Sequence, residues 1–273
     1  MVANFSNFYE VSILNSYGQG ANLNLNDPRS TGYSKNYHDR QLQTPYQSTI
    51  DFVDWLEQIG VIGDAEKRIC DIGCGKGANL HYLSKRFPSH TFTGVDIDEQ
   101  LISEGRKLLG DHNLTNCKLV TGDIHDLKSQ FKQNEFDGVI SFQTLSWLPG
   151  YEAAIDSISL ISPSWIAITS LFYDGPVETR TVIEQFDSSD KIEANLFYNT
   201  YSLPKFKKYL FKKGYTQFKS MRFEIPFDLP RNSDGRMQTY TEKTVDGRRL
   251  QVSGPLLMNW HFIFAAKENF DVY

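Results

Sequence analysis

Between Ile69 and Leu80 the chain reads ICDIGCGKGANL. Three glycines, Gly73, Gly75 and Gly77, alternate behind a short apolar run, and Asp71 precedes the first by two positions. A strand that ends in such a turn brings bare backbone N–H groups against a ligand. No side chain blocks the approach, and the following helix offers its N-terminus. Read as G-x-G-x-x-G/A, residues Gly73, Gly75 and Ala78 fit a dinucleotide fingerprint. The acid expected about 20 positions further on, to bind ribose hydroxyls, is Asp96. These two features do not separate a nicotinamide from other adenosine cofactors.

The surrounding pattern supplies the elements that hold this loop. RICDIG reads as a buried strand, GANLHYLSKRF as a helix stopped by Pro88, and TFTGVDID as a second strand. The helix EQLISEGRKLLG, the strand CKLVTGD, the strand FDGVISF, a helix over 151–161 and the strand SWIAITSLF follow. Strands separated by helices of about ten residues predict right-handed βαβ units around a parallel sheet. Upstream, Tyr46, Ile50, Val53 and Leu56 recur at helical spacing after Pro45, and Gly60 and Gly63 end that helix.

Residues 1–44 are polar and aromatic, and read as an N-terminal cap on a domain over 45–273. Two insertions, 174–200 and 227–254, are expected over the C-terminal edge of the sheet. The second holds Asp246-Gly247 between two strand-like runs, a strong hairpin signal. In SLPKFKKYLFKKGY, Leu203, Phe206 and Leu210 face inward, and the five lysines read as a solvated face. QFKSMRFEIPF and WHFIFAAK complete the strands.

Composition narrows the class. Of 273 residues, 40% are hydrophobic and 22% charged, and the formal net charge is −5, which argues against a general nucleic-acid or anionic-membrane surface. No apolar run approaches the ~18 residues of a spanning helix. The first basic residue is Arg29, so the start does not read as a signal peptide, and the expected location is the cytoplasm. Three cysteines, Cys70, Cys74 and Cys117, are too few and too irregular for a disulfide framework or a zinc site. No metal is expected.

DIGCGKG resembles motif I of class I S-adenosylmethionine-dependent methyltransferases, D/E-x-G-x-G-x-G, with Asp71 as the distinguishing acid. GVDID is similar to motif II, TGDIHDL to the next motif, and FDGVISFQTLSWL to motif IV, in the family's order over roughly residues 45–170. The resemblance implies a Rossmann-like, seven-stranded, mostly parallel sheet whose last strand is antiparallel. It implies S-adenosylmethionine as cofactor, with Asp71, Gly73, Cys74, Gly75 and Gly77 at its methionyl end. An acidic rim suits a cationic ligand there, where a pyrophosphate would be repelled. Asp96 and Ile97 fall to ribose and adenine, Asp123 and Ile124 to the adenine ring, and Gln143 to the strand end lining the cofactor. In many such enzymes an N-terminal segment closes over the cofactor, which points to Tyr37 and Arg40.

Tyr33, Trp147, Tyr151, Tyr173 and Arg248 are expected substrate contacts, and His38 and His125 the candidate bases. His90 and His112 are expected in solvent, and His81 and His261 in structural roles. The resemblance extends more loosely to bacterial methyltransferases of polysaccharide and secondary metabolism. It implies a small-molecule acceptor, polar or carbohydrate-like, methylated at oxygen. Nitrogen, an RNA or protein substrate, or a non-catalytic cofactor-binding subunit are the alternatives. There is no long heptad run, so a homodimer would form through the cap or the hairpin.

Overall fold

The computed structural model describes residues 41, 44–186, 189–231 and 238–270. The parallel half of the sheet is built from β1 (Arg68–Ile72), β2 (Thr91–Asp96), β3 (Cys117–Thr121), β4 (Gly138–Phe142) and β5 (Trp165–Tyr173). Helices α1 (Gln47–Gln58), α2 (Ala78–Arg86), α3 (Glu99–Asp111) and α4 (Glu152–Ile161) precede or connect these strands. After β5 come a hairpin of β6 (Val182–Phe186) and β7 (Ile192–Phe197), the short β8 (Tyr201–Ser202), α5 (Leu203–Lys212) and β9 (Gln217–Arg222). A small sheet of β10 (Thr239–Lys243), β11 (Arg249–Ser253) and β12 (Leu256–Leu257) then leads into β13 (Trp260–Ala266).

The main sheet runs in the order β3-β2-β1-β4-β5-β13-β9, with β8 paired to β5. β1 to β5 pair in parallel, and β13 runs antiparallel to both β5 and β9. This is the expected Rossmann-like sheet, with β8 as a small addition. The strand order reverses at β1, so a crevice opens between the loops after β1 and β4, where open α/β sheets bind their ligands.

Helices on both faces explain why strands such as β5 read as apolar throughout. On one face Phe52, Trp55, Leu80, Leu83, Phe262 and Phe264 share a core. On the other Tyr151, Ile155, Phe206, Leu210 and Ile263 share a second. Successive residues of β13 alternate between the two, as a strand's period of two requires.

Three expectations need correcting. In α1 the buried face is Thr49, Phe52, Val53, Trp55 and Leu56, with Tyr46 and Ile50 only half-buried. The helix lies between α2, β4 and β13, and that position rotates its inward stripe. Within 174–200 the chain forms the β6–β7 hairpin, which the sequence did not signal. His90 is fully buried rather than solvated, its ring stacked between Phe87 and Phe92 at 5.3 and 6.1 Å. The hairpin at Asp246-Gly247 forms as expected, with β12 extending it to three strands.

Candidate active site

The loop after β1 is shaped by positive backbone angles. Gly73, Gly75 and Gly77 have φ of 73°, 53° and 78°, a region that glycine enters without the steric cost of a Cβ. Gly73 and Cys74 donate their N–H groups to the Val95 carbonyl at 2.8 and 3.1 Å. Gly75 donates to Asp96 Oδ2 at 2.8 Å, while Asp98 N–H donates to Asp96 Oδ1 at 3.0 Å. The carboxylate at the end of β2 is thereby oriented against the loop. Lys76 is buried at 3% side-chain exposure and ion-paired to Glu104 at 2.5 Å, which fastens the loop to α3.

Asp71 lies beneath this turn, fully buried, and neither carboxylate oxygen has a hydrogen-bond partner among the described residues. Burial pushes its pKa well above the carboxylate range, and nearby Asp96 adds to the shift. An orphaned acid in a dry site is expensive. A cationic group would relieve it, so these residues fit a ligand carrying positive charge. Burial also drives the Cys70 and Cys74 thiols far up, so both are inert packing groups.

The opposite wall begins where β4 ends. Gln143 is a non-glycine residue at φ 61°, a strained backbone state of the kind found at functional sites. Its N–H donates to the Thr169 carbonyl and hydroxyl at 2.9 and 3.0 Å, and its Nε2 donates to Ser48 Oγ at 3.2 Å. The next turn, Leu145–Trp147, is gripped by the insertion. Tyr201 Oη donates to the Leu145 and Leu148 carbonyls at 2.8 and 3.0 Å, and buried Asn199 donates Nδ2 to the Leu148 carbonyl at 2.7 Å. Trp147 rests on Tyr198, with ring centroids 4.9 Å apart.

The remaining site residues separate by position. Ile97, 40% exposed beside Asp96, leaves an apolar face open at the end of β2. Asp123 Oδ1 accepts from the His125 N–H at 2.8 Å and faces its Nδ1 at 3.0 Å, closing the turn that contains Ile124. β3 is three strands from β4, about 14 Å across the sheet at ~4.8 Å per strand. The turn that carries His125 folds back against α4, where the Leu127 N–H donates to Ser157 Oγ at 2.9 Å.

Tyr151 is core and not pocket wall: it is 2% exposed and boxed by Tyr201, Phe206 and Tyr209 at 5.0, 4.9 and 5.6 Å. Arg248, in the turn before β11, pairs with Glu224 at 3.3 Å. Tyr173 is half-exposed at the end of β5. Tyr33, Tyr37, His38 and Arg40 lie outside the described residues. His261 has the structural role expected, buried with Nδ1 3.1 Å from the Asn259 carbonyl and Nε2 3.2 Å from Asp174.

Ser48, Thr49, Asn199 and Tyr201 were not found by sequence reasoning. Isolated polar residues at a helix start or before a short strand carry no local signature, and only the fold gives them partners.

One prediction arises from the Asp96 geometry. Asp96→Ala removes two charge-assisted acceptors from the loop, and should weaken binding of the cofactor and its demethylated product by about 1–3 kcal/mol. Calorimetry on the variant checks this, and unchanged affinity removes Asp96 from the site.

The sequence profile of a family described as Methyltransferase domain matches residues 63–215, more than half of the chain. The chain belongs to this family and carries a class I S-adenosylmethionine-dependent methyltransferase domain. It is 28% identical over 95 residues to a fatty-acid O-methyltransferase of Mycolicibacterium smegmatis, covering 35% of this chain and 33% of that protein. It is 28% identical over 116 residues to a tRNA (guanine-N(7)-)-methyltransferase of Paraburkholderia xenovorans, covering 42% of each. The chain thus aligns with well under half the length of these curated relatives. The solved structure of YcgJ from Bacillus subtilis superposes with a TM-score of 0.56 at 12% identity, covering 82% of this chain and 100% of that one. That likeness speaks for the fold. No helix among the described residues is long and apolar enough to cross a membrane.

Proposed function

We propose that this protein transfers a methyl group from S-adenosylmethionine to the oxygen of a small polar or carbohydrate-like acceptor. The observation that carries the cofactor half is Asp71, a buried, unpartnered acid beneath a loop of bare backbone. Asp71 answers the positive charge at the methionyl end, Asp96 takes the ribose hydroxyls, and Ile97 and Ile124 bracket the adenine with Asp123 at its edge. S-adenosylmethionine supplies the methyl group already activated on a sulfonium, so the protein's task is to position the acceptor and exclude water. Gln143 and the Leu145–Trp147 turn, held from above by Asn199 and Tyr201, form the wall for that step.

For the acceptor, charge favours a small molecule over RNA. The basic helix α5 is partly neutralised: Lys205 pairs with Glu178 at 2.9 Å and Lys213 with Asp156 at 2.8 Å, while Lys208 and Lys212 stay exposed. Lys207 lies over the Phe211 and Phe218 rings at 5.5 and 5.2 Å. A net charge of −5 works against holding a phosphate backbone.

Titration calorimetry with S-adenosylmethionine, S-adenosylhomocysteine and NADH, followed by radiolabelled methyl transfer to pools of small acids and sugars and to bulk tRNA, tests both halves. Micromolar binding of the first two ligands and label in a small molecule support the reading. Binding of NADH alone, or label in tRNA alone, overturns it.

A further inference from the structure

Two adjacent hydroxyls at the start of α1 reach opposite walls of the crevice. Thr49 Oγ1 donates to Asn79 Oδ1 at 3.0 Å, and Asn79 stands in the first turn of α2, two residues past Gly77. Ser48 Oγ accepts from Gln143 Nε2 at 3.2 Å, on the residue that follows β4. One turn of one helix is therefore bonded to the exit of the glycine loop and to the strained residue facing it. Below this turn the helix is fixed by packing. The Phe52 ring lies 5.4 Å from Phe142 at an 89° angle and 5.1 Å from Phe262, and Trp55 lies 6.1 Å from Phe262. A rigid apolar footing beneath two short polar arms is the arrangement a spacer needs.

We propose that Ser48 and Thr49 are positioning residues that set the separation and orientation of the two cofactor walls. The inference rests on the cofactor reading given above and adds to it the part played by α1. Gln143 occupies a left-handed backbone state, at φ 61°, that persists only where its surroundings over-determine it. Thr169 fixes its backbone from within the sheet, and Ser48 fixes its side chain from outside. On the other wall, Thr49 is 4% exposed, so its hydroxyl has little water to turn to if Asn79 moves. The bond holds the first turn of α2, whose N-terminus follows directly on the glycines. Without both arms, each wall keeps its own fold but loses its alignment with the other.

The test measures S-adenosylhomocysteine affinity by calorimetry beside ligand-free melting temperature, for Ser48→Ala, Ser48→Thr, Thr49→Val and Thr49→Ser. Thr49→Val preserves shape and deletes only the hydroxyl. Ser48→Ala and Thr49→Val are expected to weaken binding roughly 5- to 20-fold each, with melting little changed, as one lost hydrogen bond allows. Ser48→Thr and Thr49→Ser should restore most of the affinity. Ser48→Ala and Gln143→Ala should be non-additive in a double-mutant cycle, because they remove the same bond. Wild-type affinity in both hydroxyl-deleted variants overturns the proposal, as does a loss matched by falling melting temperature and not rescued by the conservative pair. If the wild-type protein itself binds no S-adenosylhomocysteine, the cofactor reading fails and this inference falls with it.

Discussion

Asp71→Asn is expected to remove most of the affinity for S-adenosylmethionine while leaving the ligand-free protein as stable as before, or more so. The side chain is fully buried, both oxygens are without a partner among the described residues, and its pKa is raised by burial first and by Asp96 second. A carboxyl whose folded pKa lies above its unfolded value, about 3.9, contributes its full stability below that unfolded value and loses it as pH rises through the folded one. The wild-type and asparagine proteins should therefore melt alike only below about pH 3.9. As pH climbs, the wild type should fall behind, because only it must bury a charge. With ligand the order reverses. A cationic partner stabilises the ionised acid, so binding should release a proton, and affinity should strengthen with pH across the raised pKa. The amide cannot answer a full positive charge, and the loss of a hydrogen bond to a charged group, about 1.5–3 kcal/mol, corresponds to roughly 10- to 150-fold weaker binding. Calorimetry in buffers of different ionisation enthalpy counts the proton. Wild-type affinity in the variant would sink the assignment.

Gly73→Ala should be the most damaging single methyl in the loop. A Cβ there would stand 2.2 Å from Thr144 Oγ1 and 2.5 Å from its Cγ2, at a backbone φ of 73°. Thr144 has little room to yield: it is stiff about χ1, and its hydroxyl lies 3.3–3.4 Å from the Phe142, Ile72 and Gly73 carbonyls. Overpacking and a left-handed alanine together should cost about 2–4 kcal/mol. Chemical denaturation measures that loss, and S-adenosylhomocysteine binding should drop with it. Gly73→Ala/Thr144→Gly should recover the packing part and leave the backbone part. A single variant as stable as wild type would show that the two walls can separate freely.

Much of this architecture was legible because it follows from short-range rules. Glycines that need positive φ announce the loop after β1, and apolar runs of five to nine residues between amphipathic helices announce the parallel strands. Asp246-Gly247 marks the hairpin of the small sheet. What failed did so where tertiary neighbours decide. The stripe of α1 reads through Tyr46 and Ile50 until the sheet it lies on is known. Phe52 then turns out to be the anchor, and Thr49 is buried because Asn79 is there to meet it. Tyr151 sits three residues past a motif and looks like pocket, yet its ring belongs to the aromatic cluster under α5.

The segment between β5 and β8 closes on itself. Thr179 and Thr200 exchange both backbone hydrogen bonds, at 2.9 and 3.1 Å, and Asn199 ties the same stem to Thr181 and to Leu148. Beyond that stem the β6–β7 hairpin leans on the framework through β7, which packs against the Leu145–Trp147 turn. Changing a loop's length between fixed ends alters closure entropy only slowly, by about 0.6 kcal/mol per doubling. The connection between β6 and β7 can thus be lengthened or exchanged during evolution, or by an engineer grafting a new turn, while the framework beneath keeps its shape. Changes of length there can accumulate without endangering the fold.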